Sequence, residues 1–297
     1  MKVKIGIGGL VVLLLIAIIG PHVAPYNPSA SSTSVLKGPS GAHLFGTTLL
    51  GQDVLSQFLV GAGPTLLVGF EAAAVATLLS ILIGIPSGYF GGPVGEGMTL
   101  ISNVFLVLPT LPLLIVVVGY LPGSSYAVLG IVIGLTSWAF GARVIRAQTL
   151  SLKSRDWVEA ARATGDSWPR ILFHDLLPGL MPVISASFLF SVAFSILTET
   201  GLEFLGLGNL SQWTWGTMLY WTLNDAAYQI GAWWWYVPPG LAIALIGLFL
   251  ALVNFGIDER GNARLQRSWG ERGLTRRLAR RRRRLVGPLE PGSGAPR

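Results

Sequence analysis

The sequence predicts an all-α polytopic membrane protein with six transmembrane helices, and three observations predict it. The 297 residues are 52% hydrophobic and only 12% charged, about half the charge of a typical soluble domain, with a mean hydropathy of +0.61. The apolar residues come in runs long enough to cross a hydrocarbon core about 30 Å thick. The 21 Lys and Arg fall into three clusters: Lys2 and Lys4, six between Arg143 and Arg170, and twelve between Arg260 and Arg297, with Lys37 alone outside them. Basic residues beside spans stay cytoplasmic, so an even number of spans must separate neighbouring clusters.

Taken in order, Ile5 to about Ala24 is uncharged and long enough to cross. It is expected to be an uncleaved first span occupying residues 1–24. A cleaved signal peptide is the alternative, but no clean small-x-small site follows the run. Pro25–Gly46 is polar and turn-rich, and residues 25–64 are expected to form an extracytoplasmic segment. Leu66–Phe90 is apolar apart from Glu71 and is broken by GGPVGEG. Met98–Tyr120 and Tyr126 to about Ala142 follow as the third and fourth spans. Pro182 to about Leu205 is the fifth and Val237–Phe255 the sixth. Together they form a five-helix core over 65–257. Trp233–Tyr236 reads as an interfacial aromatic belt. Residues 258–297 are expected to be a cytoplasmic basic tail. RRLARRRRR (Arg276–Arg284) is too self-repelling to pack, so the tail is expected to be disordered and to adhere to anionic lipid. Both termini are expected in the cytoplasm.

Several chemistries are excluded. There is no cysteine, hence no thiol catalysis or Cys-ligated zinc, and His22, His43 and His174 are scattered. A metal site is therefore not expected. The basic residues sit where span orientation requires them, so the net charge of +7 does not call for nucleic acid. No phosphate loop G-x-x-x-x-G-K-[ST] exists. The chain is expected not to be an ATPase, nor to hold a cofactor of its own.

One polar stretch interrupts the apolar pattern, EAARATGDSWPRILFHDLLPG (Glu159–Gly179). Asp156 and Glu159 are spaced as a capping box for a helix over Trp157–Thr164. Gly165 stands where a left-handed C-cap is wanted. Asp166 and Ser167 can cap a second helix, which Pro178 and Pro182 should end. Ala160, Ala161 and Ala163 leave a small-residue face open to close approach. An ordinary cytoplasmic loop with some helix fits the same spacing.

The order Glu159-Ala160-Ala161, three residues, Gly165, then Leu177-Pro178 resembles the EAA loop of ABC importer permeases. Asp175 departs from the general pattern, which has a hydrophobic residue there. Leu44–Gly69, Thr198–Gly208, Trp215–Leu219 and Asn254–Leu265 resemble blocks of the C-type permeases of dipeptide and oligopeptide importers, though Gln52, Gly63 and Pro64 replace residues often basic there. The resemblance covers about residues 5–265. It implies a permease subunit moving di- or oligopeptides by alternating access, with oligosaccharides, nickel or glutathione as alternatives within the architecture. It also implies a coupling helix in the loop at about 143–180, with Glu159, Ala160, Ala161, Gly165, Leu177 and Pro178 as the ATPase-coupling residues. The implied partners are a second homologous permease chain, two cytoplasmic ATPase subunits carrying ATP and Mg, an extracytoplasmic substrate-binding protein, and membrane lipids. The membrane is the cytoplasmic one.

Three acids remain. Glu71 lies within a span, where a charge is costly and points to function. It could face a translocation path, or be neutral or bonded to a neighbouring helix. Glu199 and Glu203 lie one turn apart on one face. Both fall in the Thr198–Gly208 block, and the resemblance implies a gate or structural role there. A membrane-embedded enzyme using the pair is the rival of a different class, but no nucleophile or metal-ligand set accompanies them.

Overall fold

A computed structural model describes residues 2–121 and 125–261, and its long elements are all helices. They are α1 (Lys2–Val23), α2 (Val54–Tyr89), α3 (Gly92–Val107), α4 (Thr110–Gly119), α5 (Tyr126–Leu152), α6 (Asp156–Ala163), α7 (Trp168–Arg170), α8 (Leu177–Phe204), α9 (Trp215–Asn224) and α10 (Trp233–Gly261). The expected basic tail lies outside the described residues from 262 onward.

Close approach of small residues sets the bundle. Without water between helices, packing rather than hydrophobic burial drives association, and small residues let backbones meet. α2 and α5 are the best example. A Cβ on Gly84 would lie 2.7 Å from the Ala142 carbonyl, and one on Gly88 2.7 Å from Thr149 Cβ. One on Gly134 would lie 2.7 Å from the Ala72 carbonyl. Ser80 Oγ donates to the Trp138 carbonyl at 2.7 Å. Contacts climb together along both helices, so α2 and α5 run parallel.

That parallel pairing decides the topology. α2 finishes at the end of the bundle where α6 sits (the loop end), and α5 begins at the opposite, far end. The chain between them must therefore cross. It does so as a bent pair, since α3 and α4 meet at 81°. The third span is thus broken rather than continuous as the sequence suggested. The cause is Pro109: Leu108 before it is forced extended (ψ 127°), and Pro109 itself has no N–H to continue the ladder. α1 packs on α10 at the loop end, where Gly6 meets Phe249, and on α2 at the far end, where Gly20 meets Leu59. The described chain begins near where α10 ends.

Two further boundaries differ from expectation. α2 turns helical at Val54, about ten residues early, because Asp53 caps it: its carboxylate accepts from Ser56 N at 2.8 Å and Ser56 Oγ at 2.7 Å. Pro178 and Pro182 do not end a helix. Trp168–Phe204 is one 37-residue apolar helical run; Pro182 sits inside it, and the chain absorbs Pro178 through a π-turn at Ile171–Leu176. Pro178 cannot donate to the carbonyl four residues back. The register slips by one instead, with Leu177 N bonding to the Leu172 carbonyl.

The aromatic belt is also revised. Trp233 is exposed, but Trp235 is buried. Trp234 Nε1 donates to the Thr47 carbonyl at 3.2 Å and Trp213 Nε1 to Ser29 Oγ at 2.8 Å. These indoles pin the 25–53 segment onto the far end of the bundle. Their N–H groups needed partners that only the folded segment supplies.

Candidate functional site

The loop end carries the first candidate. α6 is too polar to bury and too short to stand alone, so it is held by one side. Val158 is fully buried in a cluster with Ile85, Ile145, Leu172 and Leu176, and Ala161 packs against the same cluster. Glu159, Ala160 and Ala163 are exposed on the other side. Of the Glu159-Ala160-Ala161 triad, therefore, the first two face away from the protein and the third faces in. Gly165 has φ +84° and open space around it, as a left-handed C-cap requires. Leu177 and Pro178 lie in the first turn of α8, with Leu177 half-buried in the same cluster.

The capping box did not form. α6 begins at Asp156 itself, capped by Arg155 without a side-chain bond. Asp156 and Glu159 sit in the first turn, where their charge complements the N–H groups of the helix terminus. Ser167 likewise makes no capping bond, and Asp166 pairs instead with Arg170 at 3.6 Å.

The far end carries the second candidate. Glu199 and Glu203 are buried, and α9 is folded over them. A true capping box starts α9: Thr217 N donates to Thr214 Oγ1 and Thr214 N to Thr217 Oγ1, each at 2.9 Å. The Thr214 hydroxyl also donates to a Glu203 carboxylate oxygen. Gly216 packs directly on Glu203 and on Thr200 Cα. On its other flank α9 is tied to α2, with Trp215 N donating to Thr65 Oγ1 at 3.0 Å and Trp215 Nε1 to the Phe58 carbonyl at 3.1 Å. Glu199 accepts from Thr200 Oγ1 at 3.2 Å, and its second oxygen is buried without a partner. No group of three metal-ligating side chains occurs among the described residues.

Glu71 is placed elsewhere. It is half-buried between α2 and α5, its Oε2 3.0 Å from where a Cβ on Gly130 would sit. A cavity of about 230 Å³ lies where α3, α4, α5 and α8 meet. Ser137, Thr136, Ser187 and Ser191 line it together with Phe140 and Phe190. Neither Glu71 nor the Glu199–Glu203 pair is among its lining residues.

Residues 80–266 match the family described as binding-protein-dependent transport system inner membrane component. The chain belongs to that family. It is a multi-pass inner-membrane transport permease. Its relatives include the dipeptide transport system permease protein DppC of Bacillus subtilis, 32% identical over 90% of this chain and 84% of that one. The di/tripeptide transport system permease protein DppC of Pseudomonas aeruginosa is 33% identical over 89% of each chain. A putative peptide transport system permease protein of Brucella suis is 30% identical over 89% of this chain and 88% of the other. Among solved structures, one of inward-facing conformations of the MetNI methionine ABC transporter has the same fold. Its TM-score is 0.53 at 17% identity, over 69% of this permease and 94% of that chain.

Sequence reasoning missed the partners of the site residues more than the residues themselves. Thr214 could be seen only as a Thr ahead of an apolar run, since Thr217 is not the Glu or Gln that marks a capping box, and that much was legible. Val158 as the buried anchor of α6 was not: a lone Val in a polar stretch carries no marker.

Proposed function

We propose that this permease is one of two homologous membrane subunits of an ATP-driven importer for di- and oligopeptides. The observation that carries the coupling part is the division of α6 into an inward face, Val158 and Ala161, and an outward face, Glu159, Ala160 and Ala163. A short helix held at the bundle's edge with its acid and small residues outward suits a cytoplasmic ATPase subunit that docks there. Glu159, Ala160, Ala161, Gly165, Leu177 and Pro178 are assigned to that coupling. ATP and Mg belong to the ATPase subunits, and an extracytoplasmic binding protein delivers substrate to the far end. The loop end and both termini face the cytoplasm.

The peptide assignment rests on identities of 30–33% to permeases named for peptides. The uncharged cavity among α3, α4, α5 and α8 supports it as the path. Its serine and threonine hydroxyls can meet peptide backbone groups, and no fixed charge selects against acidic or basic side chains. Glu203 and Glu199 serve as the fastening of the far-end gate, and Glu71 as a polar contact between α2 and α5.

The test is uptake by the reconstituted complex with its binding protein. Labelled dipeptides and a pentapeptide should enter proteoliposomes when ATP is supplied to the ATPase side, and maltotriose and nickel should not. Saturable sugar or nickel uptake without peptide uptake would reject the substrate assignment.

A further inference from the structure

The inner end of α2 is gripped from two sides by the same loop. Arg162 of α6 lies over the Tyr89 ring, its guanidinium carbon 4.7 Å from the centroid. Tyr89 meets Phe90 edge-on at 5.2 Å, and Phe90 meets Trp168 of α7 edge-on at 5.6 Å. Gly165 makes the turn between the two arms. From α5, Lys153 Nζ donates to the Gly88 carbonyl at 2.9 Å, so a cation satisfies an orphan carbonyl at the helix C-terminus. The four-residue hinge between α6 and α7 therefore closes around Tyr89 and Phe90 as a clasp.

α2 is also the element that can carry a displacement furthest. At 36 residues it is about 54 Å long, longer than the hydrocarbon core. Its outer half holds Thr65 and Phe58, which bond Trp215 at the start of α9, and α9 in turn is fastened to Glu203. One continuous helix thus joins the loop to the far-end network.

We propose that Arg162 and Tyr89 are positioning residues for transport: the clasp converts a shift of α6 into a shift of α2, and α2 carries it to the far-end gate. A cation is attracted to a ring face anywhere within about 6 Å of its centroid, so the 4.7 Å contact persists through a small shift of either partner. The inference rests on the coupling role given to α6 above. It adds the contact through which the motion leaves that helix.

The experiment measures peptide taken up per ATP hydrolysed in the reconstituted complex, together with ATPase subunits retained on the purified permease. Arg162→Gln and Tyr89→Leu should each lower uptake per ATP about fivefold while the ATPase subunits stay bound and keep hydrolysing. Tyr89→Phe keeps the ring and should retain the wild-type ratio. The double variant should be no worse than either single one. Arg162 is exposed, so Arg162→Gln gives the readout even where Tyr89→Leu assembles poorly. An unchanged ratio in Arg162→Gln overturns the clasp. So do additive losses, or hydrolysis and uptake falling together as ATPase subunits dissociate, which would make Arg162 a docking residue. A wild-type complex with no peptide-stimulated hydrolysis would reject the coupling role itself, a separate result.

Discussion

At the scale of single residues, Gly165 and Glu203 make opposite lessons. Gly165 was legible because a glycine after a helical run signals a left-handed C-cap, and φ +84° shows it. Gly165→Val would place a β-branched side chain in that conformation at a cost of about 1–3 kcal/mol. The loop would reopen rather than bear the strain, and uptake should fall steeply in vesicles containing normal amounts of inserted protein. Normal uptake would remove the turn from the coupling role. Glu203 was visible as half of an acid pair, but its partner was not, since Thr214 lies eleven residues on and reaches it only because α9 folds back. Glu203→Ala would remove one partner of the buried Thr214 hydroxyl, which keeps Thr217, and open a void, a loss of about 0.5–1.5 kcal/mol from the hydrogen bond alone. Glu203→Gln retains an acceptor and should lose clearly less. Thermal unfolding of the two variants in detergent checks this, and equal midpoints would mean the bond contributes little.

At the scale of elements, the apolar periods located every crossing, and the errors cluster at prolines and caps. Pro109 broke a span, while Pro178 and Pro182 failed to break one. A proline removes one donor wherever it stands. Whether the helix bends, slips into a π-turn or stops depends on what the neighbouring helices can accommodate, and that is tertiary information. The position of α6 is another such case. Its polarity and length were readable, but its attachment depends on Val158 entering a cluster built from α2, α5 and the π-turn. Removing that anchor tests the attachment directly. Val158→Ser should free α6 locally while leaving the bundle folded, because burying a valine side chain contributes about 1.5–3 kcal/mol. Trypsin sites at Arg155 and Arg162 should then be cut about tenfold faster, with cleavage elsewhere unchanged. Equal protection in the variant and the wild type would show that α6 is held by its exposed face instead.

At the scale of the whole molecule, charge parity and helix direction reach the same topology from independent premises. The three basic clusters require an even number of spans between neighbours, which the apolar runs meet with four and then two. The structure reaches the same count without using charge. α2 and α5 climb in parallel from Glu71–Gly130 near one end to Gly88–Thr149 near the other, which obliges α3 and α4 together to cross despite their 81° bend. Were the bent pair a re-entrant loop, α5 would start where α2 stopped, and the two would run antiparallel. The Lys2–Lys4 cluster and the Arg143–Arg170 cluster would also lie on opposite sides, with three spans between them instead of four. Reporter fusions separate the two arrangements. Fusions at Gly95, Ser154 and Arg272 should all report the cytoplasm, and those at Ser32 and Gln212 the outside. The pair that decides is Gly95 with Ser154: the bent pair and α5 lie between them, so opposite reports there would be incompatible with six crossings, whatever the other positions gave.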